Sequence, residues 1–296
     1  MSRRSRVIKK NPEEINLNKT LNELKEKYRE YYKQNNFNIS PTTWNTESSY
    51  IKNSFNYNFR GENAYVWQER LGDREKKYQE YYNKIKEIDD EKFLGRTFED
   101  GSYGCITYKI NDILISRDLL DSVFEIIFLK KCFSNLKDFS LLEIGGGYGR
   151  LCKRFLDCFP DSKYFITDAI PESTHFSKLY LGKKSDSVIE LTDLNERLKN
   201  VKINMAINIH SFPECNITDV EWWIKFIHLK EIKYIFYVPN NPESNPENIK
   251  TNSGECILKI FTKYGYKVKY FENLYSQIKL TYSYSVPFFI MENEKF

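Results

Sequence analysis

The sequence predicts an α/β fold. A mostly parallel sheet with helices on both faces closes with an antiparallel last strand, and a mainly helical N-terminal extension precedes it. Three observations carry this. From about Asp112 onward, short apolar runs alternate with amphipathic helical stretches, the rhythm of consecutive βαβ units. One of those runs, Leu141-Leu142-Glu143-Ile144, ends in Gly145-Gly146-Gly147-Tyr148-Gly149 and passes at once into a helix-compatible stretch. Up to about Lys109 the texture differs, being polar, tyrosine-rich and helical or irregular. The 296 residues therefore divide into a cap region, 1–110, and a ligand-binding α/β domain, 111–296.

In chain order, Leu17, Leu21, Leu24, Tyr28 and Tyr31 recur at spacings of four and three, drawing an apolar stripe on a first helix. Thr20-Leu21-Asn22-Glu23 reads as a capping box at or near its start. Asn36–Arg60, rich in Asn, Ser and Thr, reads as a long loop, a feature that is usually functional or mobile. Tyr78, Tyr81, Ile85 and Ile88 repeat the stripe on a second helix. Both stripes are expected to pack on the α/β domain, with a homodimer through these helices as the alternative. Ser116 is placed to cap a helix to about Lys131. Strands are expected at Ser140–Ile144, Lys163–Thr167, Ser187–Leu191, Ile203–Ile209, Tyr234–Val238 and Tyr266–Phe271, with Val286–Met291 antiparallel at the close. Helices fall between them at Tyr148–Cys158, at Pro171–Leu181 with proline in its first turn, and at Glu255–Tyr264. Another opens on the capping box Thr218-Asp219-Val220-Glu221, and Pro239–Asn252 is a Pro/Asn-rich loop.

Charged residues make up 29% of the chain and the net charge is +4, too small an excess to argue for a nucleic-acid partner. Arg3, Arg4, Arg6, Lys9 and Lys10 read as a solvated tail. No apolar run approaches the ~20 residues that span a bilayer, and the N-terminus lacks a signal peptide's apolar core. The six cysteines are scattered without a C-x-x-C pair, which points to reduced thiols and a cytoplasmic location. His175, His210 and His228 do not join them at ligand spacing, so no metal site is expected. The 16% aromatic content accompanies an abundance of Lys, Asn and Ile, the mark of an AT-rich coding genome, and does not by itself argue for sugar stacking.

A strand–glycine turn–helix sequence sets backbone N–H groups and a positive helix end beside a ligand. A dinucleotide fingerprint wants its third glycine three residues after the second, where this chain has Arg150. The spacing Glu143-x-Gly145-x-Gly147-x-Gly149 instead resembles motif I of the class I S-adenosylmethionine-dependent methyltransferases. That resemblance implies that Gly145, Gly146, Gly147, Tyr148 and Gly149 wrap the methionine part of the cofactor, with Glu143 reaching its ammonium. The plainer role for Glu143, compatible with the first, is an inward carboxylate that orders the turn. Asp168 ends the second strand, where a carboxylate can accept both ribose hydroxyls; otherwise it is a helix-start acid satisfying its own turn. Ala169 would lie along the nucleoside, and Thr192 and Asp193 would border the adenine.

The fourth strand ends in Asn208-Ile209-His210-Ser211-Phe212-Pro213-Glu214. In this architecture the loop faces both the methyl donor and its acceptor, and Asn208 is counted with the cofactor residues. A hydroxyl acceptor is a weak nucleophile, and histidine is suited to take its proton, so His210 is the candidate general base, with Glu214 in reserve. A structural histidine at a strand end is the competing reading. His175 and His228 fall within helices as surface or packing residues. Tyr103 is placed to form part of a lid, and Arg117 to meet either the cofactor carboxylate or a neighbouring acid.

Ser116-Arg117-Asp118-Leu119-Leu120-Asp121-Ser122, the glycine turn through Leu151, and Asn208-Ile209-His210-Ser211-Phe212 together resemble the bacterial sugar O-methyltransferases. The likeness runs from roughly Gly95 to the end. It implies a carbohydrate or nucleotide-sugar acceptor, with S-adenosylmethionine as donor. One departure stands out: similar proteins often carry Asp-Leu-Pro where this chain has Asp168-Ala169-Ile170-Pro171. A Mg²⁺-assisted variant would use Asp193 and Glu214, but no ligand spacing supports it. A non-sugar acceptor and a cofactor-binding scaffold without catalysis are the alternatives; an NAD-dependent oxidoreductase fails at Arg150.

Overall fold

The computed structural model describes residues 12–35, 58–61, 74–241, 244–273 and 286–296. The basic residues before Pro12 and most of the expected loop Asn36–Arg60 lie outside these. The first helix, α1, spans Pro12–Asn35, and α2 spans Arg74–Ile88. A hairpin of β1 (Tyr108–Ile110) and β2 (Ile113–Ile115) follows, then α3 (Arg117–Cys132), β3 (Ser140–Ile144), α4 (Arg150–Cys158), β4 (Lys163–Thr167) and α5 (Pro171–Leu181). After a short helical turn, α6 (Leu194–Arg197), come β5 (Met205–Ile209), α7 (Ile217–Leu229), β6 (Tyr234–Val238), α8 (Ile257–Lys263), β7 (Lys267–Glu272) and β8 (Phe288–Glu292). Among the described residues, no helix is long and apolar enough to cross a membrane.

The main sheet has six strands in the order β4-β3-β5-β6-β8-β7. The four strands from β4 to β6 run parallel, and β8 is antiparallel to both β6 and β7. This is the mostly parallel α/β sheet with an antiparallel closing strand that the sequence predicts. Alternation along each strand sends successive side chains to opposite faces. Leu141, Met205, Phe236 and Phe288 join the core beneath α3 and α4, while Leu142, Ala206, Ile235 and Phe289 join the core beneath α7 and α8. With both faces covered, these strands are nearly continuous apolar runs.

The N-terminal helices are covered within the chain. Leu24 and Tyr28 of α1 are buried, and the Tyr28 hydroxyl pairs with Thr174 Oγ1 at 2.9 Å and accepts the Leu191 N–H at 2.9 Å. Tyr78, Tyr81 and Ile85 of α2 join the core of the α3 face, while Ile88 remains 37% exposed. Thr20–Glu23 lies inside α1, so that box does not start the helix.

Three other local expectations shift. Ser187–Leu191 makes no strand: a single parallel bridge joins Val188 to Ile166, flanked by 3₁₀ turns. The segment is an edge with one neighbour, and Tyr28 takes the Leu191 amide that would extend a ladder. The helix carrying Trp222 and Trp223 begins at Ile217, with Asn216 rather than Thr218 at its cap position. The hairpin β1–β2, unpredicted, turns on Asn111 and Asp112 with φ of 48° and 65°, the left-handed pair of a type I′ turn. It straddles the change in composition near residue 110. Ser116, by contrast, caps α3 as expected, accepting the Leu119 N–H at 3.1 Å.

Candidate functional site

The carboxyl ends of β3, β4 and β5 meet at the glycine turn. Gly145 donates its N–H to Thr167 O at 2.9 Å, and Asn208 donates from Nδ2 to Ile144 O at 2.9 Å while accepting the Phe212 N–H at 3.0 Å. Asn208 thus spends one end of its amide tying β5 to β3 and the other holding the loop that follows β5. The turn's glycines do different work. A Cβ on Gly146 would fall 2.5 Å from Ile166 Cδ1 and 2.9 Å from Glu143 Cδ, so this position is small because the fold packs against it. Gly147 has φ of 58°, and no atom lies within 4 Å of where its Cβ would be. Gly145 faces Ser211, and Gly149 stands at the N-cap of α4.

Asp168 sits beside the open position. Its Oδ2 accepts the Gly147 N–H at 3.0 Å and its Oδ1 the Ile170 N–H at 2.8 Å. Burial pushes its pKa up to about 6, against the pull of those two amides. Each carboxylate oxygen has two lone pairs, so acceptor capacity remains for hydroxyls. Ala169 presents its carbonyl to the Tyr32 hydroxyl of α1, in a short hydrogen bond. Glu143 is buried under the turn, accepting from the Tyr164 hydroxyl at 3.0 Å; burial raises it to about 8, outweighing Arg150 and Tyr164. Asp193 is held by Lys27 of α1 at 2.9 Å, in an ion pair near the surface.

His210 follows β5 in a left-handed conformation, φ of 64°, which is uncommon for a residue with a Cβ and marks local strain. Its N–H donates to Val238 O at 2.7 Å, and its ring Nδ1 lies 2.9 Å from Pro239 O. A carbonyl only accepts, so Nδ1 carries the proton and the basic lone pair is on Nε2. Burial, with help from Arg150 and Arg117, pulls His210 down to about 4, which keeps the ring neutral near pH 7. Glu214 accepts from Asn240 Nδ2 at 3.3 Å. His175 is buried against Phe176, and His228 lies by Tyr264 and Phe296, both packing positions.

Arg60 is a residue that no sequence motif marks. Its guanidinium is 0% exposed and bonds Glu99 Oε2 at 2.8 Å and Asp118 Oδ2 at 2.8 Å. Tyr148 donates to the same Asp118 oxygen at 2.5 Å, Arg154 reaches Glu99 Oε2 at 2.9 Å, and Ser116 donates to Glu99 at 2.5 Å. Phe59 stacks between Tyr103 and Phe176, with centroids 4.6 and 4.7 Å away, so Tyr103 is packed against the N-terminal segment. The one available signal is the Phe-Arg-Gly triplet within an otherwise polar stretch. Arg117 pairs with Asp121 at 3.1 Å, and Arg150 makes a two-pronged pair with Glu125 at 2.8 Å. Glu99, Cys105 and Asp118 lie close enough together to ligate a metal, but Arg60 and Arg154 together already supply the two positive charges that balance these carboxylates. All six cysteines are free thiols.

No protein-family model matches the sequence, and no curated protein does. Solved structures with a similar backbone include the magnesium protoporphyrin IX methyltransferase ChlM from Synechocystis PCC 6803 with bound SAH. That match covers 60% of this chain and 86% of the other at 9% identity, with a TM-score of 0.42. The mitomycin 7-O-methyltransferase MmcR covers 79% and 70% at 13% identity, TM-score 0.40. The geranyl diphosphate C-methyltransferase from Streptomyces coelicolor A3(2) covers 53% and 73% at 13% identity, TM-score 0.37. Identities and TM-scores this low leave the chemistry of the present chain to its own geometry.

Two outcomes follow from the buried charges. Arg60→Ala leaves Asp118 without its cation and Glu99 with Arg154 alone, and is expected to cost about 3–5 kcal/mol, seen as a drop in Tm of roughly 10 °C; an unchanged Tm would deny the network its structural role. Glu143 has a folded pKa above its unfolded value, so the folded state binds the extra proton and stability falls as pH rises from about 4.5 to 8. Glu143→Gln should flatten that slope in denaturant titrations at pH 5 and pH 8, and an unaltered slope would show that Glu143 is not its source.

Proposed function

We propose that the chain is an S-adenosylmethionine-dependent O-methyltransferase acting on a sugar hydroxyl, with the α/β unit from about residue 111 holding the cofactor and the N-terminal region capping it. The observation that carries the cofactor reading is Gly147: left-handed, open where a side chain would stand, and bonded through its N–H to Asp168. The residues fit the group. Gly145 to Gly149 would cradle the methionine part, Glu143 lies beneath its ammonium as a buried acceptor, and Asp168 keeps lone pairs for two ribose hydroxyls. Ala169, Asp193 and Asn208 border the nucleoside side, the last two chiefly by positioning the surrounding chain.

S-adenosylmethionine supplies, when bound, a methyl group on a sulfonium. The chain's own part is to bring a hydroxyl into line and remove its proton. His210 is suited to proton removal, because it is neutral, its tautomer is set by Pro239, and Ser211 beside it lies against Gly145 of the turn. Glu214, one helical turn further along the same loop, is the alternative base. The sugar acceptor rests on the resemblance of three segments to sugar O-methyltransferases and on the polar character of the neighbouring loop. A methyl acceptor other than a sugar is the second reading, favoured if no sugar gains mass.

The paired glycines test the cofactor reading. Gly147→Ala adds a methyl group into open space and should lower affinity for S-adenosylhomocysteine at least ten-fold while the fold persists, whereas Gly146→Ala should destabilise the fold itself. Calorimetric titration with thermal melting separates the two, and full affinity in Gly147→Ala would sink the assignment. For the base, product mass after incubation with S-adenosylmethionine and a panel of sugars should show one added methyl. His210→Ala should keep cofactor binding and lose about 10²–10⁴-fold in kcat. At saturating cofactor, kcat should stay level from pH 8 to about 5 and fall only as pH nears 4, where His210 gains its proton. A limb near pH 6.5 would point to another base.

A further inference from the structure

A cleft of about 510 Å³ opens beside the His210 loop, lined by Asn240, Asn241, Lys250, Thr251, Asn252 and Gly254. Its size is that of a small-molecule site. It lies past the carboxyl end of β6, next to the end of β5, where ligands of such sheets bind. Two contacts join its walls to the proposed catalytic loop, and a third is made by Pro239, which precedes the wall residue Asn240. His210 Nδ1 donates to Pro239 O at 2.9 Å, Asn240 Nδ2 donates to Glu214 Oε1 at 3.3 Å, and the Asn252 N–H donates to Pro213 O at 2.7 Å. The far wall is a tight turn: Glu255 donates its N–H to Thr251 Oγ1 at 3.0 Å, and the Thr251 N–H donates to Glu255 O at 2.8 Å.

The chemistry of the lining is specific. Asn240 and Asn252 bring side-chain amides, each with donor and acceptor atoms, and Asn240 already donates to Glu214 behind the wall. Lys250 is exposed and contributes an ammonium, with no carboxylate ion-paired to it among the described residues. None of the lining residues is aromatic. A flat apolar acceptor would leave the ammonium without a counter-charge, whereas a hydroxyl-rich molecule carrying a negative group would match both the ammonium and the polar wall. Resting on the sugar-methylation reading above, we propose that this cleft is the acceptor subsite and that it takes an anionic sugar, whose phosphate or carboxylate pairs with Lys250 while its hydroxyls meet Asn240 and Asn252.

The test uses the full chain saturated with S-adenosylhomocysteine, which permits binding without turnover. Glucose 1-phosphate, glucuronate and glucose are the probes, titrated calorimetrically. Glucose 1-phosphate or glucuronate should bind at least ten-fold more tightly than glucose, and whichever leads identifies the anion as phosphate or carboxylate. Lys250→Gln, an exposed change that leaves the fold alone, should bring the charged probes down to the glucose level, and Lys250→Arg should retain most of the difference. Equal affinity for all three probes, or a Lys250→Gln variant that changes none, overturns the anionic subsite and leaves the methyltransferase reading standing. No binding of any sugar overturns the sugar acceptor together with the subsite. Failure to bind S-adenosylhomocysteine overturns the cofactor reading on which both rest.

Discussion

The buried guanidinium of Arg60 is the constraint on which the site's architecture depends. An arginine with no exposed surface is stable only if its donors are satisfied, and here Glu99, Asp118 and the Ser102 carbonyl satisfy them. The partners come from two pieces, the segment Glu99–Ser102 and the first turn of α3. Asp118 opens α3 and also accepts from Tyr148 of the glycine turn; Glu99 also takes Arg154 from α4 and Ser116, the cap of α3. Cations and hydroxyl donors therefore converge on two carboxylates, and one residue near position 60 ties the N-terminal segment to the turn. The aromatic stack of Phe59 with Tyr103 and Phe176 seals the same junction from the apolar side.

Against that neutralised pair stand carboxylates the fold leaves under-compensated. Arg60, Arg154 and Ser116 hold Glu99 below the ordinary range in spite of its burial. Burial wins at Glu143 and Asp168, which are pushed up to about 8 and about 6. Both lie at the glycine turn, Asp168 on the Gly147 N–H and Glu143 against Gly146, and near pH 7 Glu143 holds its proton in spite of Arg150. On the proposed cofactor reading, a ligand bringing an ammonium and two hydroxyls would favour the ionised form of both, the pattern by which perturbed carboxylates point to a binding site.

Much of this is legible in the sequence because the signals are local. The strand–glycine–helix order, Asp168 at the end of β4 and Ser116 as a cap each depend on a few consecutive residues, and each stands where the sequence places it. Asp168 and His210 emerge from asking what ends a strand, a question that needs only the periodicity. What the sequence hides is long-range. Arg60 meets Asp118 across 58 residues and Lys27 meets Asp193 across 166, and no spacing rule connects them. The missing strand at Ser187–Leu191 has the same origin, since α1 supplies the partner its amide needs. The hairpin at Tyr108–Ile115 is readable in principle, from Asn111-Asp112 between apolar residues, but its strands are only three residues each and fall where the texture of the chain changes.

On the proposed reading, the arrangement also separates what would recognise the cofactor from what would recognise the acceptor. The cradle is built from backbone and buried acids around β3 and β4, rigidly packed: Gly146 has no room for a methyl group, and Asn208 has spent both ends of its amide on the chain. The acceptor side is built from amides on the loop after β6, reaching the sheet through only a few hydrogen bonds. His210 stands at the seam, its backbone strained into the left-handed region between the two. Its proton is held by the acceptor-side carbonyl of Pro239, and its neighbour Ser211 touches the cofactor-side Gly145. On that reading, a base fixed from both sides leaves the choice of acceptor to the loop after β6, and it is that loop which must be asked about the substrate.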